Sequence, residues 1–172
     1  YFGSSVALSG ETLAVGAPRQ DYDESGNSLV TDAGAVYVYT RSGTTWGLQQ
    51  KVVATGTNAR AAGSEYFGTR INLNGDFLVV GSTGQNYDVA GDNYSGEAGA
   101  AYSFHRSGGV WTQTKKYVGI GSNSRHSSSG FGGGVAYDLT TGFFVFGAAG
   151  QQYDASGSSQ AASTGALWIY GY

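Results

Sequence analysis

Short apolar runs separated by turn residues follow one another along this chain. In its first part the runs span 5–8, 12–17, 35–39 and 46–54. They alternate in side-chain size and are too short for most helices, which is typical of β-strands. Ser9-Gly10-Glu11 and Ser42-Gly43-Thr44 supply tight turns, and a polar loop runs from Arg19 to Asp32. The pattern therefore predicts a unit of four antiparallel strands.

The same unit recurs at a shift of about 65 residues, a period expected of repeat architectures. Its recurring motifs are Phe2-Gly3, Phe67-Gly68 and Phe131-Gly132; Gly16-Ala17-Pro18, Gly81-Ser82-Thr83 and Gly147-Ala148-Ala149; and Tyr22-Asp23, Tyr87-Asp88 and Tyr153-Asp154. We divide the chain into one repeat domain, 1–172, with copies at 2–66, 67–130 and 131–172. The third copy ends after its third strand, so eleven strands are expected.

The strands differ in where polar residues fall. The segments from Val36 to Tyr39 and from Leu167 to Tyr170 have no polar face, so we expect neighbouring sheets to cover both of their sides. The segment from Trp111 to Lys116 is mostly polar, which suits a wet outer strand. These features predict an all-β fold, a β-propeller-like array of three four-stranded antiparallel blades whose last blade lacks its fourth strand.

The motifs Phe2-Gly3, Gly16-Ala17-Pro18 and the strand from Gly34 to Tyr39 resemble the FG-GAP repeat. The second and third copies keep Phe-Gly but lose the proline. The resemblance implies β-propeller blades of the kind found in integrin α-subunit heads and in many secreted proteins, and hence an extracellular or cell-surface location. Integrin-type repeats carry a calcium loop between their first two strands. Here that connection is only Ser9-Gly10-Glu11, so the metal function is not carried over.

One other segment has the spacing of a calcium loop, with oxygen-bearing residues at alternate positions before a glycine. It runs from Asp21 through Asp23 to Gly26. The aligned segments of the other copies lose these ligands. An alternative is a turn in which Asp23, Asp88 and Asp154 accept bonds from nearby backbone amides. We predict no metal site and no cofactor, and leave calcium near Asp21 and Asp23 to a titration.

Two other features carry candidate chemistry. Asn93-Tyr94-Ser95 is an acceptor tripeptide for N-glycosylation inside a polar loop. His105 and His126 are the only histidines and neither is paired with a Ser nucleophile, so no catalytic residue is predicted and the chain is not expected to be an enzyme.

Composition narrows the possible partners. There are 30 Gly, no Cys and a net charge of −3. A slightly acidic chain has no basic patch for phosphates, so nucleic acid is excluded as a partner. No apolar stretch approaches the length of a membrane span.

Three blades are too few to close a propeller, and the missing strand leaves a sheet edge open. Either the chain is a fragment of a longer propeller or its blades complete one another between chains. Open edges and apolar faces recruit partners, and a head-to-tail contact that does not close builds a filament. We favour an extracellular structural protein that self-associates head to tail, as a homo-oligomer or filament. The alternative is an adhesion module that binds a glycan or protein through the loops 19–32, 85–98 and 151–164.

Aromatic pairs recur on the third strand of each copy and allow two interpretations. They either stack on sugars or fill the core between blades, and their strand spacing favours the core. The pairs are Tyr37 and Tyr39, Tyr102 and Phe104, and Trp168 and Tyr170.

Overall fold

The computed structural model describes residues 1–61, 63–120, 125–153 and 165–171. Over these ranges the chain is all-β, with eleven strands in three antiparallel sheets of four, four and three strands. The first sheet contains β1 (Ser5–Ser9), β2 (Thr12–Ala17), β3 (Ala35–Ser42) and β4 (Thr45–Val52). The second contains β5 (Phe67–Asn74), β6 (Phe77–Ser82), β7 (Ala100–Ser107) and β8 (Val110–Tyr117). The third contains β9 (Gly134–Asp138), β10 (Phe143–Ala148) and β11 (Ala166–Gly171).

This architecture confirms the predicted propeller-like array. Strands follow one another across each sheet in chain order, and every neighbouring pair is antiparallel. None of the described segments forms a helix of the length and apolarity that crossing a membrane requires.

The first hairpin of each four-stranded sheet closes through two residues. Ser9 pairs with Thr12, and Gly10 between them has a φ of 55°. Gly75 has a φ of 58° at the equivalent place. L-residues with side chains rarely adopt this conformation, so glycine is favoured at both turns.

The repeats share finer detail than strand order. The pairing of β3 with β4 slips between Val38 and Tyr39, and that of β7 with β8 slips between the equivalent Ser103 and Phe104. Such an irregularity bends the outer strand. Its recurrence shows that the two sheets are copies of one structure.

Two apolar clusters hold the three sheets together. One lies between the first and second sheets and the other between the second and third. The first cluster includes Ala14, Val36, Val38, Phe67, Leu73, Leu78, Val80, Tyr102 and Phe104, and the second includes Val79, Ala101, Phe131, Tyr137, Phe144 and Phe146. Face-to-face packing of sheets thus supplies the core.

The prediction of cover on both sides is right only for the middle sheet. Residues 100–104 of β7 are all buried. In β3, Val36 and Val38 are buried but Tyr37 and Tyr39 are only partly so, and in β11 alternate side chains are exposed. The prediction is therefore wrong for 36–39 and 167–170. The reason is that each end sheet has one neighbouring sheet within the described chain.

The predicted outer strand does lie at the edge of its sheet, as β8. Three residues of β8 are nevertheless buried, Trp111, Lys116 and Tyr117. The Trp111 indole donates a hydrogen bond to Gln49 Oε1 on β4, at 3.0 Å. A wet outer strand is thus a correct description of most of β8 but not of these three positions.

Candidate interaction faces at the two ends of the array

The two faces of each sheet differ in side-chain size. We call the face with the larger residues the aromatic face and the opposite one the rear face. Strand register places Val6, Leu8, Leu13, Val15, Tyr37 and Tyr39 on the aromatic face of the first sheet, Ile71, Leu73, Leu78, Val80, Tyr102 and Phe104 on that of the second, and Val135, Tyr137, Phe144, Phe146, Trp168 and Tyr170 on that of the third.

Inside the chain, an aromatic face always packs on the rear face of the preceding sheet. The aromatic face of the second sheet meets Ala7, Ala14, Val36 and Val38 on the rear face of the first. The aromatic face of the third sheet meets Val79 and Ala101 on the rear face of the second. Contacts between sheets are therefore directional, and the same pairing is used twice.

The Phe-Gly motif of each later copy lies against glycines of the copy before it. A Cβ at Gly16 would lie 2.2 Å from the carbonyl oxygen of Gly68, and one at Gly34 would lie 2.2 Å from that of Phe67. Phe67 N donates to Ala33 O at 3.1 Å, next to a parallel bridge between Gly34 and Phe67. No side chain fits at these glycines, so the motif residues form the backbone junction between sheets.

The junction between the second and third sheets repeats this geometry. A Cβ at Gly81 would lie 2.0 Å from Gly132 O, and one at Gly99 would lie 2.3 Å from Phe131 O. Phe131 N donates to Ala98 O at 2.9 Å. The Phe-Gly residues singled out in the sequence are thus brought together with the Gly-Ala residues of the neighbouring copy.

Two apolar faces remain open, one at each end of the array. On the aromatic face of the first sheet, Phe2 is 60% exposed and Leu8 is 64% exposed. Their equivalents in the second copy, Phe67 and Leu73, are buried. An exposed apolar face on a folded protein is a candidate interaction site.

The other open face is the rear face of the third sheet. It carries Gly134, Ala136, Val145, Gly147, Leu167 and Ile169, by the register of β9, β10 and β11. Leu167 is 63% exposed and Ile169 is 62% exposed. The corresponding Val36 and Val38 of the first sheet are fully buried. The aromatic face at one end and the rear face at the other are therefore the two halves of the pairing used inside the chain.

The aromatic pairs follow from this arrangement. Tyr102 and Phe104 are buried between sheets, and Trp168 and Tyr170 pack into the second apolar cluster. Burial raises the pKa of Tyr170 to about 12. For these four the core interpretation is confirmed. Tyr37 and Tyr39 are instead on the open aromatic face of the first sheet.

Polar side chains are buried beneath the loops between the first and second sheets. Gln85 Nε2 donates to Ala59 O at 3.0 Å and to the Tyr102 hydroxyl at 3.2 Å, and Glu65 is fully buried nearby. Lys116 is 8% exposed, and among the described residues its ammonium has no hydrogen-bond partner. Loss of hydration lowers the pKa of Lys116 to about 8, with a further contribution from the positive charge of Arg125.

The first copy treats the equivalent lysine differently. Lys51 donates to the carbonyl oxygens of Tyr22 and Asp23, at 2.9 and 2.7 Å. In the second copy the carbonyl oxygen of Tyr87, which is equivalent to that of Tyr22, accepts from Arg125 instead. Sequence alone did not indicate that Lys116 is buried, because it follows the polar residues 112–115.

The Asp-rich loop forms turns of the type given above as the alternative to calcium. Asp23 accepts bonds from the amides of Asn27 and Ser28 and from the Ser25 hydroxyl, and these bonds lower its pKa, with that of Ser25 first among them. Asp88 accepts from the amides of Gly91 and Asp92. Asp154 lies outside the described residues. Within the described part of the chain, no cluster of three acidic or histidine residues is arranged to hold a metal.

Asn93 lies on an exposed loop with a positive φ of 33°. Its side-chain amide donates to Asp88 Oδ2, and the Ser95 hydroxyl donates to Arg125 O. The acceptor tripeptide is therefore at the surface, and its glycosylation stays a prediction.

The two histidines take part in packing and hydrogen bonding. The His105 ring packs against the Phe77 ring in a tilted arrangement, with ring centroids 4.8 Å apart. His126 Nε2 accepts a bond from Gln152 N at 3.0 Å, and its ring contacts Tyr153. These contacts give each histidine a structural role.

The loops at one end of the strands border an open polar cavity of about 350 Å³. It is lined by Gly63, Ser64, Gly84, Asn86, Tyr94, Gly96, Glu97, Ser127 and Ser128. These residues come from the loops around the second sheet. Of the three loops expected to form one face, 19–32 and 85–98 are described, whereas 154–164 of the third lies outside the described residues.

Comparison with known families bears on the first copy. A family model described as FG-GAP repeat matches residues 1–39, a span that covers β1, β2 and most of β3. The match confirms the FG-GAP resemblance seen in Phe2-Gly3 and Gly16-Ala17-Pro18, and supports a β-propeller-type repeat module. A search of curated proteins gives no match.

Proposed function

We propose that this chain is an extracellular structural repeat module whose copies associate head to tail. In each contact, the rear face of the third sheet in one copy covers the aromatic face of the first sheet in the next. One observation carries the proposal: these two open faces are the equivalents of faces that already pair twice inside the chain.

Apolar burial supplies the driving force for this contact. When the faces meet, four exposed apolar side chains leave water: Phe2 and Leu8 at one end, and Leu167 and Ile169 at the other. Burial of each side chain stabilises the contact by roughly 1 to 2 kcal/mol. The two faces differ, so the contact is heterologous. Such contacts build a closed ring if the rotation closes and a filament if it does not.

Location and chemistry are part of the same proposal. FG-GAP repeats are typical of extracellular proteins, which supports an extracellular or cell-surface site. The proposal assigns the chain no catalytic role. In support of this assignment, the carboxylates of Asp23 and Asp88 already accept hydrogen bonds from backbone amides within their own turns.

Two single substitutions test the direction of the contact. Leu8→Lys places a charge on the open aromatic face, and Ile169→Lys places one on the open rear face. We expect the unmodified chain to form species larger than a monomer in sedimentation velocity, with size growing as concentration rises. Each variant alone should stay monomeric, whereas an equimolar mixture should form dimers, since each variant keeps the half that the other lacks.

A matched control is Leu29→Lys, which places the same charge on an exposed loop leucine away from both faces. This variant should assemble like the unmodified chain. An unmodified chain that remains monomeric up to millimolar concentration contradicts the proposal. A contact between two aromatic faces would instead let Ile169→Lys dimerise alone.

A second candidate is a binding module for a glycan or protein. The polar cavity favours it, because Tyr94 offers an aromatic ring beside the polar side chains of Asn86 and Glu97. A glycan array probed with the monomeric Leu8→Lys variant tests this function separately from assembly. Sugar binding that is lost in Tyr94→Ala would support it, and an array without signal would count against it.

A further inference from the structure

We infer that Phe2-Gly3 of one copy docks against Gly147 and Gly165 of another copy, in the register of the two junctions inside the chain. This inference rests on the proposed head-to-tail association and adds the residues that set its alignment. Its partner is a second copy of this chain, because the site continues a contact that the chain already makes with itself.

The acceptor glycines occupy the positions of those that receive a Phe-Gly motif elsewhere. Gly147 is equivalent to Gly16 and Gly81, at which a Cβ would collide with the next copy. At Gly147 the nearest described atoms to a Cβ belong to its own sheet, with Gly134 Cα at 3.7 Å. Gly147 is therefore accessible on the rear face, where a second copy would meet it.

Gly165 completes the acceptor. Its φ of 72° matches the left-handed conformation of Gly34 and Gly99, at 86° and 84°. Those two glycines receive Phe67 and Phe131 through close backbone contact. At Gly165 the nearest described atom to a Cβ is Ala148 O, at 3.6 Å, which belongs to the same sheet. The third sheet thus already has the backbone shape that receives a motif.

The docking segment is also formed before association. Gly3 has a φ of 90°, close to 93° at Gly68 and 85° at Gly132. The Phe2 ring already contacts Tyr37 of its own sheet edge-on, with centroids 5.5 Å apart. Phe67 contacts the equivalent Tyr102 in the same way, also at 5.5 Å. A segment held in its bound conformation loses little conformational freedom on docking.

A cysteine cross-link tests the register directly, because the chain contains no cysteine. In the internal junction, a Cβ at Gly133 would lie 3.9 Å from Thr83 Cγ2, so side chains at these two positions are in contact. The equivalent residues at the two ends are Ser4 and Ala149, both exposed. We expect the double variant Ser4→Cys and Ala149→Cys to form disulfide-linked multimers with oxidised glutathione. The control pairs Ser4→Cys with Thr141→Cys, an exposed position in the turn between β9 and β10.

A second variant, Gly147→Val, blocks the acceptor. Valine suits a strand and its Cβ has room within the third sheet, so the melting temperature should be unchanged. Association should weaken by at least about tenfold, since backbone contact at this glycine is prevented. Gly47→Val is the matched control, because nothing lies within 4 Å of a Cβ at Gly47 on β4.

The outcomes separate this inference from the function on which it rests. If the unmodified chain associates but the Ser4 and Ala149 pair cross-links no better than the control, the docking register is wrong and head-to-tail association stands. If the unmodified chain is monomeric, both the docking register and the head-to-tail association are wrong. If Gly147→Val also lowers the melting temperature, its effect on association is not specific to docking. The result of the Ser4 and Ala149 cross-link then decides whether the docking register is right.

Discussion

Lys116 makes the stability of this protein depend on pH in a way that a single substitution can reveal. Its ammonium lies between the first and second sheets, 5.9 Å from the centroid of the Tyr102 ring. The pKa falls from 10.5 to about 8, chiefly because burial removes water from the charged form. The attraction of Glu65 and Asp88 offsets only part of this effect.

The sign follows from comparing the folded and unfolded chains. Between pH 8 and 10.5 the unfolded chain binds the proton of Lys116 and the folded chain does not, so stability rises with pH through this window. The gap in pKa corresponds to about 3 kcal/mol in total, of which about 1 kcal/mol is recovered between pH 7 and pH 9. Staying at or below pH 9 avoids the titration of tyrosines in the unfolded chain.

We expect Lys116→Met to remove this contribution. Urea unfolding should show the variant to be at least as stable as the unmodified chain at pH 7, and its advantage should shrink by about 1 kcal/mol at pH 9. Leu8→Lys should be present in both proteins to keep them monomeric. The control is Lys115→Met, which removes the same charge from the exposed neighbouring position. An advantage of Lys116→Met that is equal at the two pH values would show that burial does not perturb this lysine.

Three further predictions concern the junctions and the loops. Gly81→Ala should lower the free energy of unfolding by about 1 to 3 kcal/mol in chemical denaturation, because its Cβ would meet Gly132 O; an unchanged midpoint would contradict the junction. Excess calcium should leave the melting temperature unchanged, since amides hold the carboxylates of Asp23 and Asp88; a clear rise would restore the calcium hypothesis. When the chain is produced in a eukaryotic secretory host, mass spectrometry should show the mass of one attached glycan, and the Asn93→Gln variant should lack it. An unmodified chain whose mass equals that of its amino acids alone would refute glycosylation.

Strand order and repeat register were predictable because they depend on local pattern. The runs that became β1 and β2 differ from the predicted bounds by one residue, at Ser9. The hairpin turns follow from glycine at Gly10 and Gly75, where a positive φ is needed. Each of these features is determined within one copy, so a single repeat contains the information.

Features that depend on contact between copies were not predictable in the same way. Lys116 sits in a polar stretch, and only the packing of the first sheet on the second shows that its side chain is buried. The equivalent Lys51 finds backbone carbonyl partners, although the two residues occupy the same place in the repeat. Likewise, Tyr37 and Tyr102 look alike in sequence, but only Tyr102 has a sheet packed over it.

The structure shows that the two signature motifs meet each other where consecutive copies pack together. Within the second copy, Gly68 and Gly81 take different parts, since the first packs against Gly16 of the first copy and the second receives Gly132 of the third. Each junction therefore requires two consecutive copies, and each copy carries one half of two junctions. A unit built in this way stabilises its neighbours and depends on them, as in other linear repeats. In the proposed association, Phe2 and Gly147 are the positions at which a further copy would join the array.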